Sequence, residues 1–213
     1  LVDIARVVRA DAVKFQFWSS ATRVAARRHA PELEAAYARH QMPAEWLAPL
    51  AARCSVRQPS SHSTDMIGME EPPIEFMATC YLPEDVAVVA LYVQRHKVSS
   101  FENVAADMVQ AYVGTPGEII VSCGMSDAAE VCRAWCGLPM WWSHSRLRLL
   151  HCVSAYPAPF DQMNLAVLRR DEDGICSYVG LSDHSANVLT GALAVAAGAE
   201  VIEVHFRLDD TDP

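Results

Sequence analysis

The feature that most constrains the fold of this chain is a strand–helix–strand unit at residues 177–206. Ser177 to Gly180 is a short apolar strand that opens into a polar turn. Asn187 to Ala197 carries apolar residues at helical spacing and ends before Gly198, a residue type typical of the position after a helix. Val201 to Phe206 then forms a second strand. The unit therefore predicts two parallel strands joined by one helix.

Each strand of this unit is associated with a histidine, His184 after the first and His205 near the end of the second. A crossover between parallel strands brings their carboxyl ends to the same edge of a sheet. Two imidazoles that meet there, with carboxylates nearby, can hold a divalent metal. The sequence thus predicts a metal site at this edge.

The same alternation runs through the rest of the chain. Seven strands are predicted, near 12–16, 74–79, 96–98, 118–122, 147–152, 177–180 and 201–206. Helical segments are predicted near 1–10, within 20–42, over 43–54, from Pro83, over 102–113, from a Ser126 cap to Cys136, and over about 161–168. Regular alternation with no strand-only region favours an α/β fold with a parallel sheet covered by helices.

The pattern fits either an open doubly wound sheet or a closed barrel. No glycine-rich dinucleotide fingerprint follows any strand, and one further strand upstream of Leu1 would raise the number to the eight that close a barrel. We therefore expect a (β/α)8 TIM barrel whose first strand is missing from this chain. We expect a single domain over 1–213, with a loop insertion at 55–73 where serine and proline replace the periodic pattern.

Composition excludes several classes of function. The chain has 213 residues, 52% of them hydrophobic, and a formal net charge of −9 without a basic stripe, so nucleic acid is not an expected partner. No apolar run approaches the ~20 residues of a membrane span. Seven cysteines, an odd number with no CxxC pair, indicate reduced thiols in a cytoplasmic protein rather than a disulfide framework or a zinc site.

The predicted carboxyl ends of the strands are unusually polar. They carry Lys14, Gln16, Thr79, Lys97, Ser99, Ser100, Ser122, His151, Ser154, Ser182, Asp183, His184, Glu203 and His205. Singly, each has a plainer interpretation: a strand lysine at an edge, a serine in a turn, or His151 as a hydrogen-bonded core histidine. Together, lysines and hydroxyls suit a phosphate or carboxylate, and two histidines suit a metal ion. The residues predict a metal-assisted enzyme for an anionic, phosphorylated substrate, without specifying the reaction.

Seven motifs along the chain resemble the successive strand-end motifs of the sialic acid synthase family, in the same order. They are ADAVKFQ (10–16), IEFMATCY (74–81), HKVSSFENV (96–104), IIVSCGMSD (119–127), LLHCVSAYPAP (149–159), VGLSDHS (179–185) and VIEVHFRLD (201–209). Synthases of other nonulosonic acids share them. The fifth motif and the pair VGLSDHS and VIEVHF are the most specific.

This resemblance implies an enzyme that condenses phosphoenolpyruvate with an N-acetylated aldehyde sugar, such as N-acetylmannosamine, and releases phosphate. C3 of phosphoenolpyruvate attacks the aldehyde carbon, and water adds at C2. His184 and His205 would hold the metal, Mn²⁺ or alternatively Mg²⁺ or Co²⁺, which polarises the aldehyde. Glu102 and Glu203 are the candidates for proton transfer or sugar positioning. The implied substrate-binding residues are Lys14, Gln16, Thr79, Lys97, Ser100, Ser122, Ser154, Tyr156 and Ser182, with Gln16 and Tyr156 facing the sugar.

The resemblance also implies a homodimer. The small carboxyl-terminal antifreeze-like domain of the family has no counterpart in this chain. Two alternatives remain open. One is a degenerate barrel that binds a metal or phosphorylated ligand without catalysis, favoured by Phe101 where the family has glycine and by Val204 where it has lysine. The other is a Schiff-base aldolase with Lys14 or Lys97 as nucleophile.

Overall fold

The computed structural model describes residues 1–56, 58–59, 70–136, 146–168 and 178–208. The chain divides into two compact units, residues 1–96 and 97–213. Each unit is built from parallel strands that follow helices, so the predicted α/β class is confirmed within both.

The first unit contains five helices and the strands that they flank, among the residues described. In order they are α1 (Val2–Val7), β1 (Ala12–Phe17), α2 (Ala21–Arg27), α3 (Glu34–Arg39), α4 (Leu47–Ser55), β2 (Gln58–Pro59), β3 (Glu70–Glu71), β4 (Glu75–Cys80) and α5 (Pro83–Val89), followed by β5 (Arg95–Val98), which crosses the boundary between the units. Strands β1 and β4 pair in parallel from Ala12 opposite Glu75 to Phe17 opposite Cys80. Helix α5 begins with Pro83 at its first turn, as the sequence predicts.

The second unit continues the same rhythm. Its elements are α6 (Ala106–Val113), β6 (Glu118–Ser122), α7 (Ala128–Cys136), β7 (Leu147–Cys152), β8 (Tyr178–Asp183), α8 (Thr190–Ala196) and β9 (Val201–Val204). Strands β6 to β9 pair in parallel in sequence order. Between β7 and β8 the register shifts at Leu149 and Leu150, after which Cys152 lies opposite Ser182 and Ser182 opposite Glu203. This register aligns the polar strand ends.

Two apolar layers hold the second unit together. Tyr112 and Trp135 are fully buried and their rings lie 6.4 Å apart, which packs α6 against α7. Leu168, Leu181 and Ala194 form a second buried cluster between β8 and α8. Burying such side chains supplies ~1.5–3 kcal/mol each. The strand ends that carry the polar residues are thereby set on a rigid support.

The observed starts of three helices differ from the predicted starts. Asp127, not Ser126, caps α7: its carboxylate accepts from the Glu130 N–H at 2.7 Å while Glu130 accepts from the Asp127 N–H at 2.9 Å. The prediction of a Ser126 cap was wrong because the reciprocal pair satisfies two N–H groups at once. Helix α6 begins at Ala106 rather than at 102, and α8 at Thr190 rather than at 187. Gly198 follows α8 with φ of 110°, which confirms its predicted position after the helix.

Other connections are shorter than predicted or lie outside the described residues. The segment 161–168 contains two 3₁₀ turns, Phe160–Gln162 and Leu165–Leu168, in place of one helix. The ends of the predicted insertion at 55–73 meet in a two-residue antiparallel ladder, with Gln58 opposite Glu71. Most of that segment, 60–69, lies outside the described residues.

The cysteines follow the prediction with one exception. Cys54, Cys80, Cys123 and Cys152 are buried free thiols, whereas Cys132 takes part in a disulfide, so the prediction of reduced thiols was wrong for that residue. In the part of the chain that the structure describes, no helix is both long and apolar enough to cross a membrane.

Candidate active site

Lys97 is the buried cation at the carboxyl end of β5. Its side chain is 3% exposed. Its ammonium donates to Ser122 Oγ at 2.8 Å and to the Val98 carbonyl at 3.1 Å, and it lies 3.4 Å from Glu203 Oε2. Three acceptors thus match the three hydrogens of a protonated lysine. A buried ammonium in this position favours an anion at the same strand ends.

Glu203 connects Lys97 to the histidine side of the strand ends. Its second oxygen, Oε1, accepts a hydrogen bond from Ser182 Oγ at 3.2 Å. Ser182 Oγ in turn lies 3.4 Å from His184 Nε2. The predicted residues of β5, β6, β8 and β9 are therefore joined in one polar network.

His184 has a defined tautomer. Its Nδ1 lies 2.9 Å from the Val153 carbonyl, which can only accept, so Nδ1 carries the proton and Nε2 keeps its lone pair. Burial lowers the pKa of His184, as does the charge of Lys97, against the raising effects of the Val153 carbonyl, Glu203 and Asp183. A neutral imidazole with an unprotonated Nε2 is the form that ligates a metal.

His205 and Tyr156 lie on the open side of His184. The ring centroids of His184 and His205 are 5.2 Å apart, so the predicted approach of the two histidines is confirmed. Tyr156 stacks on the His184 ring at 4.1 Å and donates its hydroxyl to His184 Nε2 at 3.0 Å. Among the described residues, no three His, Cys, Asp or Glu side chains group as metal ligands. The donors fit an ion held by two imidazoles, with the other positions left to substrate or water.

Three of the predicted serines gather around a buried sulfur atom. Ser100, Ser154 and Ser182 lie around the Cys152 side chain. Burial raises the pKa of the Cys152 thiol, against the three serine hydroxyls and the charge of Lys97, which lower it. The sulfur therefore stays uncharged at neutral pH and adds no negative charge beside Lys97.

Glu102 and Asn103 are buried polar residues that follow β5 and make hydrogen bonds next to the site. Glu102 is 2% exposed and accepts a hydrogen bond from the Ser99 hydroxyl. Asn103, which the sequence analysis missed, is 1% exposed; its amide donates to the Ser122 carbonyl at 3.0 Å and accepts from Ser126 Oγ at 3.0 Å. A buried asparagine with donor and acceptor both satisfied fixes the end of β6. Asn103 directly follows Glu102, a predicted site residue, and this neighbouring position was the sequence signal that could have identified it.

Lys14, Gln16 and Thr79 lie in the first unit. Lys14 and Gln16 are two residues apart on β1, so they share a face, and Gln16 lies directly opposite Thr79 on β4. Thr79 Oγ1 is buried and has no hydrogen-bond partner among the described residues. Such an atom is costly unless a ligand satisfies it.

Comparison with protein-family models identifies the family of this chain. The model of the NeuB family matches residues 1–213. The chain belongs to the NeuB family. It is 32% identical to N,N'-diacetyllegionaminic acid synthase of Legionella pneumophila, over 100% of this chain and 60% of that protein. It is 36% identical over 114 residues to pseudaminic acid synthase of Campylobacter jejuni, which covers 54% of this chain and 33% of that protein.

Solved structures support the same relationship for this NeuB-family chain. It superimposes on the N-acetylneuraminic acid (sialic acid) synthetase of Leptospira borgpetersenii, solved with citrate, with a TM-score of 0.77 and 26% identity. The match covers 99% of this chain and 67% of that structure. The chain thus spans about 60% of the length of the Legionella relative and two thirds of this structure.

The structure places three single residues that the sequence analysis discussed in this NeuB-family chain. His151 donates to the Met163 carbonyl at 2.9 Å and packs against Tyr178, which confirms it as a hydrogen-bonded core histidine. Phe101 is 57% exposed and lies at the surface. Val204 is 58% exposed and likewise points out to solvent.

Proposed function

We propose that this chain is the catalytic part of a nonulosonic acid synthase. It condenses phosphoenolpyruvate with an N-acetylated aldehyde sugar and releases phosphate. The observation that carries the proposal is the row of close polar groups from Lys97 through Glu203 and Ser182 to His184, whose Nε2 lies 3.4 Å from Ser182 Oγ. It sets a buried cation for an anion beside a neutral imidazole for a metal. Family membership supports the same reaction.

Lys97 and Ser122 are the proposed centre of the phosphoenolpyruvate pocket. The substrate carries a carboxylate and a phosphate, and a buried ammonium with adjacent hydroxyls offsets those charges. Ser100, Ser154 and Ser182 add hydroxyl donors around Cys152. In the first unit, Lys14, Gln16 and Thr79, whose hydroxyl is buried without a hydrogen-bond partner among the described residues, remain predicted substrate-binding residues.

His184 and His205 are the proposed metal ligands. A divalent ion such as Mn²⁺, when bound, polarises the sugar aldehyde towards attack. The Val153 carbonyl holds His184 in the tautomer in which Nδ1 carries the proton and Nε2 does not. Glu203 lies beside both Lys97 and Ser182, a position from which a carboxylate can hold a sugar hydroxyl or move a proton. Glu102, bonded to Ser99, is the second proposed carboxylate.

The similarity to a diacetyllegionaminic acid synthase narrows the class of sugar. The Legionella relative is named for a diacetyl acid, so the aldehyde that it uses carries two acylated amino groups. We propose aldehyde sugars with one or two acetamido groups as the substrates of the present protein. We also propose that the strands belong to a (β/α)8 barrel, since polar residues gather at the carboxyl ends of parallel strands.

For Lys97, one of the two candidate nucleophiles, the surroundings of the side chain disfavour the Schiff-base alternative. A nucleophilic lysine needs a free lone pair, whereas the Lys97 nitrogen faces three acceptors. The degenerate-barrel alternative rests on residue types, with Phe101 in place of glycine and Val204 in place of lysine, and the phosphate-release test below distinguishes it from the synthase.

Phosphate release from phosphoenolpyruvate tests the proposal. The full-length protein that contains this chain is mixed with N-acetylmannosamine or a diacetamido sugar, with Mn²⁺ or with a chelator. The expected result is phosphate release that needs both the sugar and the metal. Binding of phosphoenolpyruvate without release would instead indicate a ligand-binding barrel. Covalent trapping by borohydride in the presence of a keto acid would indicate the aldolase.

A further inference from the structure

Gly124 occupies a position in which any side chain would collide with the predicted anion-binding serines. A Cβ atom there would lie 2.2 Å from Ser154 Oγ, 2.9 Å from Cys152 Sγ and 3.0 Å from Ser100 Oγ. Carbon atoms do not approach oxygen and sulfur this closely. The obstacle consists entirely of side-chain ends of the proposed pocket.

The backbone of Gly124 does not itself require glycine. Among the described glycines, positive φ angles occur at Gly117 and Gly198, and Gly124 is not one of them. An alanine could therefore adopt the same backbone conformation. The need for glycine comes from the space that the three side chains fill.

The amide of Gly124 also orients one of the serines. Its N–H donates to Ser100 Oγ at 3.0 Å. With that lone pair occupied, the Ser100 hydroxyl hydrogen is directed away from the Gly124 amide. One residue thus touches both hydroxyls without binding a substrate.

We propose that Gly124 is a positioning residue for the anion pocket, because its missing side chain and its amide set the directions of the Ser100 and Ser154 hydroxyls. This inference rests on the proposed function, since the anion is taken to be phosphoenolpyruvate. A methyl group at this position would lie 2.2 Å from Ser154 Oγ, so the Ser154 hydroxyl must rotate to another staggered rotamer. The lost interaction is with the anion rather than within the fold.

Gly124→Ala tests the proposal, with Gly114→Ala as the matched control. Gly114 follows α6 with φ of −76°, and a Cβ there would have its nearest neighbour at 3.9 Å. Affinity for phosphoenolpyruvate is measured by calorimetry, alongside the melting temperature. We expect Gly124→Ala to weaken binding by about 10-fold or more, the loss of one hydrogen bond to a charged group, without a matching loss of melting temperature. Gly114→Ala is expected to change neither quantity. Wild-type affinity in Gly124→Ala would overturn the inference.

A double-mutant cycle with Ser154→Ala separates positioning from general damage. Once the Ser154 hydroxyl is absent, Gly124→Ala has little left to displace, so its further effect on affinity is expected to shrink several-fold. Equal losses in both backgrounds would overturn the proposal. If Gly124→Ala alone does not fold, the double variant is expected to fold and to bind like Ser154→Ala. Failure of the double variant to fold would overturn the proposal and assign Gly124 to the fold.

The wild-type protein distinguishes this inference from the proposed function. If wild type binds phosphoenolpyruvate and Gly124→Ala binds it equally well, Gly124 alone loses its role. If wild type binds neither phosphoenolpyruvate nor inorganic phosphate, the proposed function fails and the anion-positioning role fails with it.

Discussion

The Lys97 ammonium lies 3.4 Å from the Glu203 carboxylate, although three strands separate β5 from β9 in the order β5-β6-β7-β8-β9. In a flat sheet, four strand spacings would place the two backbones about 19 Å apart. Side chains that stand perpendicular to a flat sheet cannot cross that distance. The strands of the second unit therefore curl so that their carboxyl ends face a common centre. This curl, rather than sequence proximity, assembles the candidate site.

Replacement of Lys97 by methionine is expected to weaken phosphoenolpyruvate binding selectively. The change removes a buried positive charge and leaves Glu203 facing the incoming anion. We expect the KM for phosphoenolpyruvate to rise about 10- to 100-fold, from ~1.5–3 kcal/mol for a charged hydrogen bond, with a smaller change for the sugar. Steady-state kinetics measures both. Arg23→Met is the control, because Arg23 pairs with Glu84 on the surface of the first unit. Equal effects on both substrates would remove Lys97 from the anion pocket.

Replacement of either histidine by alanine is expected to reduce metal affinity. His184→Ala and His205→Ala each remove one of two imidazole ligands, so Mn²⁺ binding should fall by at least about tenfold while the fold is retained. Calorimetric titration of Mn²⁺ and circular dichroism provide the two measurements. His151→Gln serves as the control, since His151 bonds to Met163 instead. Unchanged Mn²⁺ affinity in both alanine variants would refute the ligand assignment.

Tyr156→Phe is expected to strengthen metal binding. The Tyr156 hydroxyl donates to His184 Nε2 at 3.0 Å, so a metal that uses Nε2 must first displace it. Removing that hydrogen bond, worth ~1 kcal/mol, should raise Mn²⁺ affinity about fivefold while the ring still stacks on His184. The titration is done without substrate, because Tyr156 is also a predicted sugar contact. A weaker Mn²⁺ complex in Tyr156→Phe would mean that the hydroxyl supports the metal site instead.

His151 is expected to make stability fall as the pH falls below about 6.5. Burial lowers the pKa of His151, against the hydrogen bond to the Met163 carbonyl, which raises it. An unfolded histidine has a pKa of ~6.5, so below that pH the unfolded state takes up a proton that the folded state does not. The free energy of unfolding should therefore drop between neutral and mildly acidic pH. The pKa of His184 is also lowered, so His184 further decreases the free energy of unfolding as the pH falls.

Urea unfolding of wild type and His151→Gln at pH 7.5 and pH 5.5 measures this effect. Glutamine can keep the hydrogen bond to Met163 but does not titrate. We expect the loss of stability between the two pH values to be smaller in His151→Gln. An identical loss in both proteins would show that His151 does not contribute.

Cys123 is expected to resist alkylation in the folded protein. Burial raises the pKa of Cys123 to about 12, so almost none of it is thiolate at pH 8. Mass spectrometry after iodoacetamide treatment should find Cys123 modified only when the protein is first unfolded in urea. Rapid modification of the folded protein would mean that the thiol is exposed.

The strands were predictable because their signals are local. Apolar runs bounded by turn residues placed all seven strands of the parallel pattern within a few residues of their observed bounds, such as 147–152 for β7. Helix starts were less predictable, since several residues compete to cap one end. The choice of Asp127 over Ser126 depends on Glu130, three residues later, and on Asn103, which takes the Ser126 hydroxyl.

The sequence alone determined that the candidate site residues lie at strand ends, because residue type and alternation are properties of neighbouring positions. The tertiary structure decided what each residue does there. The His184 tautomer depends on the carbonyl of Val153, 31 residues earlier, and the charge of Lys97 is balanced by a carboxylate more than 100 residues later. The lack of space for a side chain at Gly124 is set by Ser154 and Cys152. Such contacts arise from strand register and sheet curl, which set distances between residues far apart in the chain and leave no local pattern.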